Sequence, residues 1–166
     1  IAFISDNGGP TMLGVTVNGS INTPLRGSKR TTLEGGVRVP FVLAWPGKIK
    51  PGTFEKPVIQ LDIHATALAA ADVKPGSEWK LDGVNLLPYI SGDKTGMPHE
   101  SLFWRFGEQM AVRSGDWKLV RYDSNIETQT GRSNQPVTAV KLYNLAADIH
   151  EDKDLSASNP EKVKEL

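Results

Sequence analysis

The sequence predicts an α/β chain, α+β when taken by itself, in which the end of an α/β domain precedes a four-stranded antiparallel sheet packed on a helix. Two continuous apolar runs, residues 1–5 and 39–45, end in glycine-containing turns, as buried strands do. Residues 60–71 show a helical pattern. After residue 98, four short aromatic and β-branched segments alternate with turns, which is typical of an antiparallel sheet.

The first part of the chain has the features of an incomplete α/β domain. Residues 1–5 are expected to form a buried strand, and loops at the carboxyl ends of such strands commonly hold ligands. Asp62 is the expected N-cap of the helix, and one or two further helical turns are expected at residues 85–90. The polar, turn-rich residues 91–98 mark a boundary. We therefore expect an incomplete domain over residues 1–97 and a second unit over residues 98–166.

The second part predicts strands and a final helix. Ser114-Gly115-Asp116 is a tight hairpin signal, and Asn159-Pro160-Glu161 predicts the start of a helix. The apolar positions 117, 119 and 122 alternate imperfectly with Lys118 and Arg121, which predicts a half-exposed antiparallel strand with Lys118 on the face opposite Trp117 and Leu119. The polar residues 123–136 are expected to form a long loop. The four expected strands are residues 101–106, 110–114, 117–122 and 139–145.

Composition excludes several classes of function. The 19 basic residues are balanced by 19 acidic ones, which gives no reason to expect nucleic acid or an anionic membrane as partner. There is no cysteine, so these residues contain no disulfide, thiolate metal site or cysteine nucleophile. No apolar run reaches the ~20 residues that span a bilayer. Because the expected buried strand begins at the first residue, Ile1, we expect the chain to be part of a longer protein.

Asp6 and Asn7, at the end of the first strand, form the first cluster of chemical interest. A carboxylate and an amide on a glycine-containing loop suit a hard cation that prefers oxygen ligands. The same residues are also a common turn sequence. Taken alone, the motif leaves both interpretations open.

A second cluster lies in residues 25–38, where four cations fall within 13 residues. Interleaved glycines permit close approach of the backbone to a ligand, and Lys29 could supply a mobile positive charge to an oxyanion. A solvated basic loop has the same composition. The spacing of Gly and Lys differs from that of a nucleotide-binding P-loop. The four cations are Arg26, Lys29, Arg30 and Arg38.

In combination and in this order, these motifs resemble those of the type I sulfatases of the alkaline phosphatase superfamily. The resemblance covers nearly the whole chain. It includes Asp62-Ile63 with Thr66 at a helix start, although Ala65 stands where the family usually has proline. The remaining matching segments are residues 5–9, 24–29, 34–41, 45–47, 82–83, 102–104, 111–120 and 142–145.

The resemblance implies an alkaline-phosphatase-like α/β sandwich for residues 1–97 and the sulfatase C-terminal subdomain for residues 98–166. It implies that Asp6 and Asn7 are part of a divalent-cation site, usually calcium. It also implies that Lys29 contacts the sulfate group and neutralises the charge that develops during hydrolysis.

One departure from the family pattern bears on catalysis. The family nucleophile is a formylglycine made from Cys or Ser in a Cys/Ser-x-Pro-x-Arg motif, and no such motif occurs in this chain. The paired aspartates that supply the other metal ligands are missing as well. We therefore expect the chain alone to be inactive, and a cation held only by Asp6 and Asn7 to bind weakly, because calcium takes ~6–8 oxygen ligands.

His99 and Arg105 are candidate substrate-binding residues. They lie close together in sequence at the start of the predicted sheet, where they could contact a sugar or the bridging oxygen. A structural role for His99 is the alternative.

The implied substrate is a sulfate ester, with a carbohydrate sulfate as one candidate, and the implied compartment is the periplasm, the exterior or the lysosome. Two alternatives stay open: a phosphodiesterase or phosphonate hydrolase of the same superfamily, and a non-catalytic anion- or glycan-binding module. The apolar strands also predict self-association through their exposed edges.

Overall fold

The computed structural model describes residues 1–11, 20–124 and 136–166. These residues form two compact units. The first consists of Ile1–Ile4 and Phe41–Glu100, and the second of Ser5–Pro40 and Ser101–Leu166. The break after Glu100 lies near the expected boundary, but Ser5–Pro40 groups with the C-terminal sheet. The division into domains at residues 97 and 98 stays a prediction.

Six strands and four helices are present in the described parts of the chain. None of these helices is long and apolar enough to cross a membrane. In chain order the elements are β1 (Ala2–Ile4), α1 (Glu34–Val37), β2 (Phe41–Leu43), α2 (Asp62–Ala70), α3 (Leu87–Ser91), β3 (Leu102–Phe106), β4 (Gln109–Ser114), β5 (Trp117–Arg121), β6 (Lys141–Asn144) and α4 (Pro160–Glu165).

In the first unit, β1 and β2 pair antiparallel, with Ala2 opposite Leu43. The expectation that these apolar runs are buried is wrong for the described residues: Phe3 is 61% exposed and Val42 is 53% exposed. The reason is that β1 and β2 form a two-stranded sheet by themselves, so no third described strand covers their side chains.

The two helices of the first unit confirm the predicted segments, but Asp62 does not act as the N-cap. Leu61 occupies that position, and Asp62 is the first residue of α2. Its buried carboxylate instead accepts hydrogen bonds from the backbone N–H groups of Ile59, at 2.9 Å, and Val84, at 2.9 Å. Asp62 therefore joins α2 to the chain segments on either side of it in sequence.

The second unit contains the predicted four-stranded antiparallel sheet in the order β3-β4-β5-β6. The hairpin between β4 and β5 turns at Gly115, whose φ of 57° lies in the left-handed region that glycine adopts without steric cost. Ser114 pairs with Trp117 across this turn. This part of the fold class is confirmed.

The core of the second unit lies on one face of this sheet, against the start of α1. The helix was not expected, because residues 25–38 appeared irregular in sequence. Its preceding residue, Leu33, is fully buried and packs against the sheet. The other members of this cluster are Ala111, Val120, Tyr122, Tyr143 and Leu145, with Trp104 packed against it.

The expected exposure of Lys118 is wrong. Lys118 and Val120 are buried, whereas Trp117 and Leu119 are only partly buried, so the inward face of β5 is opposite to the one that the apolar pattern suggested. The sequence pattern failed because the acidic partners of Lys118 come from remote segments of the chain.

The final helix, α4, begins at Pro160 after Asn159, as predicted. An isolated antiparallel bridge joins Asp123 to Val137. Most of the long loop expected at residues 123–136 lies outside the described residues, since 125–135 are not described.

Candidate catalytic and metal-binding site

The Asp6–Asn7 loop presents two side-chain oxygen donors. Asp6 is exposed and Asn7 is partly buried. The Ser5 hydroxyl donates to the Asn7 carbonyl oxygen at 2.8 Å, and the Asn7 side-chain nitrogen donates to the Gly8 carbonyl oxygen at 3.0 Å. With its nitrogen engaged in this way, Asn7 offers oxygen to an incoming ligand. This donor set fits a hard cation such as calcium, although two side chains supply only part of the ~6–8 ligands that calcium takes.

This loop is held against α1 by a close backbone contact. The Gly8 N–H donates to the Gly36 carbonyl oxygen at 2.9 Å. A Cβ atom on Gly8 would lie 1.7 Å from the Gly35 carbonyl oxygen, so no larger residue fits without moving the backbone. The glycines of both motifs therefore serve the close packing of one loop on one helix.

Lys29 lies in a tight turn between Ser28 and Thr31. The Thr31 N–H donates to the Ser28 carbonyl oxygen at 3.1 Å, and the Thr31 hydroxyl donates to the same oxygen at 2.9 Å. Ser28 and Thr31 are buried, whereas Lys29 is exposed. The turn thus fixes the backbone on both sides of a lysine whose side chain stays accessible to a ligand.

Asn22 joins the Asp6–Asn7 loop to the segment that carries Lys29. Its side-chain oxygen accepts from the Gly9 N–H at 3.0 Å. Its side-chain nitrogen donates to the carbonyl oxygens of Gly9, at 2.8 Å, and Gly27, at 2.9 Å. The Lys29 N–H also donates to the Gly9 carbonyl oxygen at 3.4 Å. Two motifs about 20 residues apart are therefore neighbours in the second unit.

The sequence offered no separate signal for Asn22. The residue falls in a glycine-rich, irregular stretch, where an asparagine with turn-forming neighbours is a frequent surface residue. Its three hydrogen bonds depend on the final path of two loops, which no local pattern encodes.

A buried ionic cluster connects α1 with β5 and the segment before α4. Lys118 Nζ lies 2.8 Å from Glu34 Oε1 and 2.9 Å from Glu151 Oε1. The other Glu151 oxygen accepts from the Glu34 N–H at 2.6 Å. Arg113 and Arg38 approach Glu34 Oε2 at 3.7 and 3.9 Å. These cations compensate the two buried carboxylates.

Burial raises the pKa of Glu151, because removing a carboxylate from water disfavours its charged form. The nearby positive charge of Lys118 and the Glu34 N–H oppose this shift without cancelling it. Glu151 also has a φ of 60°, in the left-handed region, although it is not glycine. The local sequence suggests only a charged surface turn here, so it gave no signal for this residue.

His99 and Arg105 are placed in different units. His99 Nε2 lies 2.8 Å from Asp62 Oδ1, and both side chains are largely buried, which favours a structural role for this histidine. Arg105 is exposed on β3, and its Nε donates to the Gly107 carbonyl oxygen at 3.2 Å. A substrate contact by either residue stays a prediction. Among the described residues, no group of three or more His, Cys, Asp and Glu side chains could hold a metal ion.

Comparison with known proteins decides the family. The family model for the C-terminal region of N-sulphoglucosamine sulphohydrolase matches residues 27–164. This chain belongs to the sulfatase family. The resemblance inferred from the motifs is therefore confirmed.

Individual sulfatases align over the whole chain. An uncharacterized sulfatase of Escherichia coli K12, YdeN, is 32% identical over 192 residues, covering 100% of this chain and 33% of YdeN. Arylsulfatase A of Bos taurus is 33% identical over 180 residues, covering 99% of this chain and 35% of its own length. The chain spans about a third of the length of these relatives.

A solved structure shares the fold. The crystal structure of Ps i-CgsB in complex with k-i-k-neocarrahexaose superposes with a TM-score of 0.78 at 31% identity. The match covers 100% of this chain and 34% of that one.

Proposed function

We propose that the protein to which this chain belongs hydrolyses sulfate esters with a divalent cation and a formylglycine nucleophile that lies outside these residues. In this proposal Asp6 and Asn7 are two of the ligands of the cation, which we take to be calcium, and Lys29 contacts the sulfate group. The contact between the two motifs carries the proposal, because Asn22 and the Lys29 N–H both bind Gly9 beside the cation loop.

The chemistry of sulfate transfer explains the need for a lysine at this position. Breaking the bond between sulfur and the ester oxygen places the bonding electron pair, and so negative charge, on the leaving oxygen, beside the charge that the sulfuryl oxygens already carry. A positive charge that is already in place stabilises this charge without reorganisation during the reaction. Lys29 meets this requirement, because its backbone is fixed by the turn while its exposed side chain can approach an anion.

We further propose a carbohydrate sulfate as substrate. Ps i-CgsB was solved in complex with k-i-k-neocarrahexaose, which supports a carbohydrate as the part of the substrate that carries the sulfate ester. The family assignment also supports an exported protein, in the periplasm, outside the cell or in the lysosome.

Replacing Lys29 tests the proposal, with the adjacent Arg30 as the matched control. In the full-length protein, Lys29→Ala should lower kcat by ~100–1,000-fold, the usual loss for one preorganised contact to the transition state. Arg30→Ala removes the same charge one residue further on and should cost far less. Aryl sulfate kinetics measure both, with metal content determined so that a lost cation is not mistaken for a lost contact.

Equal small effects of the two substitutions would contradict the role of Lys29, since long-range electrostatics treats the two positions alike. An aryl phosphate diester assayed beside the aryl sulfate separates the sulfatase from a phosphodiesterase of the same superfamily. Preferential turnover of the diester would contradict the proposed reaction.

A further inference from the structure

The turn that carries Lys29 contains an unfavourable backbone conformation. Arg30, the third residue of the Ser28–Thr31 turn, has a φ of 72°. A positive φ at this position is normally taken by glycine, because a side chain there meets its own backbone. Non-glycine residues in this region persist only where the surroundings hold them, and such residues cluster at functional sites.

A buried side chain from the sheet holds this turn in place. Gln109, the first residue of β4, is 4% exposed. Its side-chain nitrogen donates to the Arg30 carbonyl oxygen at 2.8 Å. Its side-chain oxygen accepts from the Asp123 N–H at 3.1 Å. Both polar atoms of the carboxamide therefore form hydrogen bonds, the nitrogen with the turn and the oxygen with the chain segment that follows β5.

Glutamine suits this position because it offers a donor and an acceptor on one planar group. Glutamate would lack the donor, and methionine, which is of similar length, would lack both. The sheet itself fixes Gln109, since Gln109 pairs with Phe106 across the β3–β4 hairpin. The contact thus runs from a rigid element to the strained residue next to Lys29.

We propose that Gln109 is a positioning residue for Lys29, a proposal that rests on the proposed function. The φ angle of Arg30 describes rotation about its N–Cα bond, which directly follows the Lys29–Arg30 peptide group. If the Arg30 carbonyl is released, φ can relax to a negative value, and that peptide swings with it. Lys29 then loses its fixed direction, so the substrate still binds but the ammonium group is misplaced in the transition state.

Gln109→Met in the full-length protein tests this role. Displacing a catalytic group by a small distance costs up to ~100-fold in rate, so we expect kcat for an aryl sulfate to fall ~10- to 100-fold with a much smaller change in KM. In a Lys29→Ala background the same substitution should have no further effect on kcat. Thermal unfolding establishes that each variant is folded. If Gln109→Met does not fold, Gln109→Asn takes its place, because the shorter amide cannot reach both partners.

A second comparison isolates the strain at Arg30. Arg30→Gly and Arg30→Ala both remove the side chain, but only glycine takes a positive φ without cost. The loss of kcat caused by Gln109→Met should therefore be about two- to fivefold smaller in an Arg30→Gly background than in an Arg30→Ala background, given the usual magnitude of such backbone effects.

Three results would overturn the positioning role. The first is an unchanged kcat in folded Gln109→Met. If Lys29→Ala still lowers kcat, this result overturns the positioning role and leaves the proposed function intact. An equal loss in the presence and absence of Lys29 would show that Gln109 acts elsewhere. An unchanged kcat in Lys29→Ala would overturn the proposed function together with the positioning role.

Discussion

At the scale of single residues, the second unit buries charges that the local sequence presents as surface residues. Lys118 is fully buried between Glu34 and Glu151. Removing one partner from such a cluster leaves an uncompensated buried charge, which usually costs ~3–5 kcal/mol, whereas the intact cluster contributes little net stability. We interpret the cluster as fixing which face of β5 meets α1.

The raised pKa of Glu151 predicts how stability depends on pH. Between its ordinary value of 4.5 and the raised pKa, the folded chain binds this proton more tightly than the unfolded chain. The stabilising contribution of Glu151 is therefore fully present below pH 4.5. The free energy of unfolding falls as the pH rises from 4.5 through the raised pKa. Glu151→Gln should flatten that fall, as measured by urea unfolding between about pH 4 and pH 8.

The exposed Glu161, which pairs with Lys164 on α4, is the control for this measurement. Glu161→Gln removes a carboxylate that is exposed, so comparison of the two variants separates the effect of a buried carboxylate from that of losing one negative charge. An identical pH profile for wild type and Glu151→Gln would contradict the raised pKa.

At the scale of elements, α1, the shortest of the helices in the described residues, organises the site. α1 has only four residues, yet its backbone contacts the cation loop through Gly36, and Gly35 donates to the Arg26 carbonyl oxygen at 2.7 Å. Both candidate motifs therefore share one support. The helix is too short to be stable alone, so its position depends on the packing of Leu33 and on the ionic cluster.

Gly8→Ala tests this support. The new methyl group would overlap the Gly35 carbonyl, so the loop and α1 must separate, at a cost of about 1–3 kcal/mol in the free energy of unfolding. Calcium affinity of the full-length protein should fall as well, because Asp6 and Asn7 move with the loop. Denaturant unfolding and calcium titration measure the two effects.

Gly52→Ala is the matched control, since nothing lies within 4 Å of a Cβ atom at that position. It should change neither quantity. A calcium affinity in Gly8→Ala equal to that of the control would argue against a cation at Asp6 and Asn7.

At the scale of the whole molecule, the chain holds the lysine and two expected cation ligands but no nucleophile motif. We predict that the purified 166-residue chain does not hydrolyse aryl sulfates and binds calcium only weakly, because two side chains cannot replace the ~6–8 ligands that the ion takes. A turnover assay against buffer and a calorimetric titration of calcium measure this. Reproducible turnover above the buffer control would refute the prediction.

The sequence by itself determined the family, the four strands of the C-terminal sheet and the helices at Asp62–Ala70, Leu87–Ser91 and Pro160–Glu165. These features depend on local signals: turn residues at fixed spacing, aromatic and β-branched runs, and proline after asparagine at a helix start. The sequence also singled out Asp6, Asn7 and Lys29, through motifs that resemble those of the sulfatases.

Only the tertiary structure decided which residues meet. The burial of Lys118, the three hydrogen bonds of Asn22 and the contact between Gln109 and Arg30 all join segments that are distant in sequence. A buried charge or amide has the same local pattern as an exposed one, and its partner alone distinguishes the two. The exposure of β1 and β2 likewise escaped prediction, because burial depends on what covers a strand and not on its own composition.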